Sequence, residues 1–106
     1  MLSKLRLFAP VAFALAVGAV SAHAETITVT VDQMVFSPAE INARVGDTIE
    51  WVNKDAFAHT ATVKGDWEVM LPVKKSGSIV VEVSGTIDYY CRFHPNMKGR
   101  IIVAAP

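Results

Sequence analysis

Gly85-Thr86-Ile87-Asp88-Tyr89-Tyr90-Cys91-Arg92-Phe93-His94-Pro95-Asn96-Met97-Lys98-Gly99 is the stretch whose reading decides the fold. Its first half alternates, with Ile87, Tyr89 and Cys91 on one face, so it reads as a half-buried β-strand ending in an inward-facing cysteine. Its second half brings a thiol, an imidazole and a thioether at i, i+3 and i+6, then Gly99 turns the chain into a further strand over Arg100 to Val103. A proline directly after His94 fixes φ and stiffens the curl between the donors. Two strands joined by a donor-bearing loop imply a β-framework that presents one metal site at its end.

Working outward, the same two-residue period recurs. Glu25 to Val31 places Ile27, Val29 and Val31 on one face and threonines on the other. Met34-Val35-Phe36 continues extended until Ser37-Pro38, which marks an edge or turn because proline cannot donate to a ladder. Ile41 to Val45 closes at Gly46-Asp47, and Thr48 to Val52 turns Ile49 and Trp51 one way. His59 to Lys64 alternates again, with His59 on the face of Ala61 and Val63. Residues 65–77 read as a long connection with one short strand in it, and Ile79 to Val83 as another strand. Such a series of short strands with Gly, Pro and Asn turns predicts an all-β, antiparallel sandwich or barrel of about seven to eight strands.

The first residues read differently. Lys4 and Arg6 precede a fourteen-residue apolar run, Leu7 to Val20, and Ala22-His23-Ala24 supplies a small-x-small cleavage pattern. Residues 1–24 are therefore expected to be a signal peptide and 25–106 the mature domain, exported to the periplasm or secreted. The run falls short of the roughly 20 apolar residues of a membrane-spanning helix, and an uncleaved anchor is the other reading. Of ten basic residues Lys4 and Arg6 leave with the leader, so eight face ten acidic ones and the mature net charge is near −2. A balance without a basic face argues against nucleic-acid binding and against strong attachment to an anionic membrane. His23 leaves as well, so His59 and His94 are the mature histidines.

Cys91 is the one cysteine of the chain, which rules out an internal disulfide. Small exported domains usually supplement a small core with disulfides, a metal or oligomerisation, and a ligated cysteine answers that need. His59, Cys91, His94 and Met97 form a soft donor set that Ca²⁺ or Mg²⁺ would not choose. Two imidazoles and a thiolate with a weak axial thioether make a blue-copper electron-transfer set. Zinc fits the same donors, although structural zinc sites typically use cysteine and histidine without methionine.

The run Gly85 to Cys91, then His94-Pro95 and Met97-Lys98-Gly99, resembles the cupredoxin family, specifically its amicyanin and pseudoazurin branch. Met34 to Ile41, Val45-Gly46-Asp47-Thr48 and Trp51-Val52-Asn53 carry the resemblance through nearly all of the mature chain. It implies a Greek-key β-sandwich with one type 1 copper per chain, held by His59, Cys91 and His94 with Met97 axial. It implies a soluble, monomeric carrier of single electrons between redox partners, a donor dehydrogenase and an acceptor cytochrome or oxidase. Those partners are expected at an apolar patch around the exposed loop histidine, with Phe57, Leu71, Pro72, Phe93 and Pro95 as candidates. A copper storage or delivery module is the alternative. An enzyme is not expected, because copper catalysis of this kind needs a second site built largely from histidines.

Two positions depart from the family pattern. Asparagine commonly follows the first ligand histidine and steadies the two ligand loops; Thr60 stands here, which leaves that cross-loop bond open while its amide stays in reach of the Cys91 sulfur. Proline commonly precedes the second histidine; Phe93 stands here and adds an N–H that can also approach the sulfur. Hydrogen bonds to the thiolate favour Cu(I) and raise the potential.

Overall fold

The computed structural model describes residues 23–106, so all but the last two residues of the segment read as a signal peptide lie outside it. Nine strands follow one another: β1 Thr26–Asp32, β2 Val35–Ser37, β3 Glu40–Arg44, β4 Thr48–Asn53, β5 His59–Val63, β6 Trp67–Leu71, β7 Ser76–Val80, β8 Gly85–Tyr90 and β9 Lys98–Ala104. Among the described residues no helix is long and apolar enough to cross a membrane. The strands form two sheets, of order β2-β1-β4-β7 and β3-β9-β8-β5-β6. This is the expected all-β sandwich.

Alternation sets which residues meet between the sheets. Val29 and Val31 of β1, Ile49 and Trp51 of β4, and Ile101 and Val103 of β9 are all buried. At the centre, the Tyr89 ring meets Phe36 and Trp51 edge-on at centroid distances of 4.9 and 5.4 Å. The Trp51 indole N–H donates to the Tyr89 hydroxyl at 3.1 Å. Burial first, relieved in part by that bond, pushes the Tyr89 phenol up to about 12. Gly99 lies against this ring: a Cβ there would land on the Tyr89 ring and hydroxyl atoms, so only glycine fits the approach.

Three expectations change. The sheets are mixed rather than antiparallel, because β1 pairs parallel with β4 and β3 parallel with β9. Parallel neighbours demand long crossovers, which a reading of local alternation does not reveal. Met34 does not prolong the first strand: Gln33 and Met34 take positive φ values of 53° and 65°, and β2 folds back antiparallel on β1. The strand expected at Ile79 to Val83 begins earlier, at Ser76, where Gly77 nestles against Val69 and Leu71. Residues 65–77 thus hold all of β6 and the first two residues of β7.

Candidate metal centre

β5 and the loop between β8 and β9 converge at one end of the sandwich. His59 opens β5 and is fully buried, because that strand is covered on both faces. Cys91 lies one residue beyond β8, fully buried and free of any disulfide. The loop then curls on itself: the His94 amide donates to the Cys91 carbonyl, the Met97 amide to the His94 carbonyl, and the Cys91 amide to the Met97 carbonyl. His94 is left half-buried and Met97 buried.

Those turns bring the donors together. His59 Nδ1 lies 3.8 Å and His94 Nδ1 3.7 Å from Cys91 Sγ. The ligand atoms of the three residues all lie within 4.8 Å of one another. Metal–nitrogen bonds of about 2.0–2.1 Å and a metal–sulfur bond of about 2.3 Å, opened to about 120°, space nitrogen and sulfur about 3.8 Å apart, against about 3.6 Å for a tetrahedral angle. The two nitrogen–sulfur distances are of the size expected for donors that share one ion. The residues present therefore fit a three-coordinate soft site, with the Met97 side chain buried beside it. One type 1 copper per chain suits this donor set.

A carboxylate that the sequence reading passed over completes the surroundings. Asp55 Oδ2 lies 2.7 Å from His59 Nε2. An ionised carboxylate only accepts, so Nε2 carries the proton and Nδ1 keeps its lone pair toward the sulfur. Asp55 also accepts from the Gln33 and Met34 amides, at 2.7 and 3.0 Å, and so secures the positive-φ turn between β1 and β2. Burial would raise the Asp55 carboxyl, but the Met34 amide, the His59 ring and the Gln33 amide together hold it below the usual carboxylate value. Its only signal in the sequence was an acidic residue four positions before His59.

Asn53 braces the same corner. Its side-chain amide donates to the carbonyls of Phe57, Leu71 and Pro72, and its Oδ1 accepts from the Asp55 amide.

The cross-loop bond left open by Thr60 exists in another form. The Thr60 hydroxyl accepts from the Arg92 amide at 2.8 Å, tying the residue after His59 to the residue after Cys91. The surface around His94 also needs one correction: Leu71 is fully buried and pairs with His59, so it is core and not patch. Phe57 and Phe93 are 61% and 43% exposed, and Pro72 and Pro95 are exposed beside them. Met34, not anticipated, lines a hollow with His94, Pro95, Asn96 and Met97.

Comparison with known proteins agrees with this geometry. A family model described as the cupredoxin-like domain matches residues 5–103. The chain is 33% identical to amicyanin of Paracoccus denitrificans over 84 residues, covering 73% of this chain and 64% of that protein, slightly under two thirds of its length. It is 32% identical to amicyanin-alpha of Methylorubrum extorquens over 101 residues, covering 85% of each. Among solved structures, the reduced Cu(I) form of an amicyanin mutant aligns with a TM-score of 0.65 at 30% identity, covering 81% of this chain and 87% of that one. By family match, sequence and fold, the chain belongs to the cupredoxin-like family, in its amicyanin-like branch.

Proposed function

We propose that this protein is an exported carrier of single electrons, with residues 1–24 as a cleaved signal peptide and residues 25–106 working in the periplasm. His59, Cys91 and His94 are its strong copper ligands and Met97 the axial one. Bound copper supplies the one-electron Cu(II)/Cu(I) couple. The observation that carries this reading is the gathering of His59 Nδ1 and His94 Nδ1 at 3.8 and 3.7 Å from Cys91 Sγ. Donors held at that spacing by two strands and a self-bonded loop move little when the charge on the ion changes, and small movement makes electron transfer fast.

Each residue has a distinct task. Asp55 fixes the tautomer and tilt of His59. The loop hydrogen bonds fix Cys91 and Met97. His94, half-buried among Phe93, Pro95 and Met34, gives the electron its way to the surface. A donor dehydrogenase and an acceptor cytochrome or oxidase dock there in turn, against a monomer. Apolar docking of this kind suits a transient encounter, burying under about 1,200 Å² in total.

An absorption spectrum of the oxidised, copper-loaded protein tests the centre: an intense visible band from thiolate-to-copper charge transfer is expected, and a colourless Cu(II) complex rejects the reading. Phe93→Glu or Pro95→Glu should slow bimolecular electron transfer while keeping that band, and unchanged rates reject the docking surface. Copper delivery is the second reading, since the same ligands serve it. Quick release to a chelator together with slow self-exchange favours delivery; the preset donor spacing favours the carrier.

A further inference from the structure

The bond from the Arg92 amide to Thr60 is the first link of a closed circuit. Thr60 Oγ1 lies 2.8 Å from Thr62 Oγ1, and Thr62 Oγ1 donates to Glu68 Oε1 at 2.8 Å. Glu68 also accepts from Nε and Nη2 of Arg92 at 2.7 and 2.9 Å. The path thus leaves Arg92 by its amide and returns through its own guanidinium. Its direction is fixed by counting protons. Thr62 has one hydroxyl proton and spends it on the carboxylate, so the Thr60 hydroxyl must donate to Thr62 and accept from the Arg92 amide. Thr60 is fully buried and Thr62 nearly so, and every buried hydroxyl in the circuit is satisfied. Such one-way chains strengthen cooperatively. The Arg92 guanidinium, and then the Thr62 hydroxyl, hold the Glu68 carboxyl below its usual value, which keeps it an acceptor.

The circuit sits where the sheet is weakest. β8 pairs with β9 over six positions and β5 with β6 over five, but β5 meets β8 in a single rung, Thr62 with Tyr90. Beyond that rung β8 ends at Tyr90, and the bonds among Cys91, His94 and Met97 stay within the loop. Arg92 to Thr60 is the cross-tie that continues where the ladder stops. We propose that Thr60 is a positioning residue: its hydroxyl, through Thr62 and Glu68, clamps the Cys91–His94 segment onto the His59 strand. The donor spacing is thereby preset before metal arrives, and escape of the metal is slowed.

This inference rests on the copper reading for its consequence, but its first test needs no copper. In the metal-free protein, exchange of the Arg92 amide hydrogen is compared with amides of the β8–β9 ladder in the native chain and in Thr60→Val, Thr60→Ser and Glu68→Gln. Val keeps the size of Thr60 and removes the acceptor, so Arg92 exchange should rise about tenfold or more while the ladder amides change less. Thr60→Ser should restore protection. Glu68→Gln, at the rim and away from the core, should raise Arg92 exchange in the same direction by a smaller factor. In the copper-loaded protein, release to a chelator should quicken in the same order of variants. Arg92 protection that is unchanged by Thr60→Val, or lost equally in Thr60→Ser, overturns the clamp even in a protein that turns blue. Protection lost in Val and restored in Ser upholds it even if the spectrum rejects type 1 copper.

Discussion

Replacing Asp55 with alanine should separate what holds the fold from what holds the metal. Three donors lose their acceptor: the Gln33 amide, the Met34 amide and His59 Nε2, now at 2.7, 3.0 and 2.7 Å. A buried donor left unpaired costs about 1–3 kcal/mol. Gln33 and Met34 lie at an exposed turn where water can substitute, so about 1 kcal/mol each is the fair share, and the fully buried His59 adds about 2 kcal/mol. Asp55→Ala should therefore lose about 3–4 kcal/mol from a total that for a domain is about 5–15 kcal/mol. Asp55→Asn keeps one acceptor oxygen but aims an NH₂ at the other donors, and should lose about half as much. Urea unfolding of the metal-free proteins measures both, with an unchanged slope as the sign that only stability has moved. The Gln33–Met34 turn offers the control. Both residues hold φ values that asparagine and glycine adopt readily, so Gln33→Asn with Met34→Gly should recover most of the turn's share in the Asp55→Ala background. That repair does nothing for His59. Copper affinity should stay tenfold to a hundredfold down, the usual effect of losing the group that orients a ligand histidine. A loss below about 1 kcal/mol, or copper affinity restored by the repaired turn, would refute the reasoning.

Other outcomes follow from the same structure. Gly99→Ala should destabilise by about 3 kcal/mol, at the top of the range for overpacking, because Tyr89 is wedged by Phe36 and Trp51 and cannot yield; thermal melts read it, and a loss near zero refutes the fit. Phe93→Pro, which removes a backbone N–H from the loop that holds Cys91 and His94, should lower the reduction potential, and a redox titration showing no change or a rise rejects this. The Asp47 carboxyl is held low by the backbone nitrogens of Glu25 and Arg44, from which it accepts, against its burial. A depressed folded value means its contribution is fully present above the ordinary carboxylate range and fades as pH falls below about 4. Asp47→Asn should therefore flatten the acid limb of the stability curve relative to the native protein, and an unaltered limb in equilibrium unfolding across that range would count against it.

The candidate donors were legible because their chemistry is rare and local: a lone cysteine, two histidines beyond the N-terminal segment and a C-x₂-H-x₂-M loop between alternating runs. The sandwich was legible because one buried face and one open face impose a period of two on β1, β4, β8 and β9. What escaped depends on distance in the chain. The parallel partners of β1 and β3 lie beyond any local window, and the turn at Gln33–Met34 carries residues that do not announce a turn, because Asp55 stabilises it from elsewhere. Leu71 looked like surface because it stands in a polar loop, yet pairing with His59 buries it. The Thr60 hydroxyl was legible as a departure from the family but not as a cross-tie, since Glu68 and Arg92 meet it only in three dimensions.

The strand order β3-β9-β8-β5-β6 has a consequence for how the chain acquires its metal. β9, the last of the described strands, stands between β3 and β8, and pairs Glu40 with Arg100 across more than half the described chain. Neither neighbour can close its side of the sheet until the C-terminal residues arrive, so contacts of long sequence separation dominate assembly and slow it. A growing or partly threaded chain therefore offers His59 alone, then a loop without its frame. Closing the frame around the candidate metal centre therefore waits on β9.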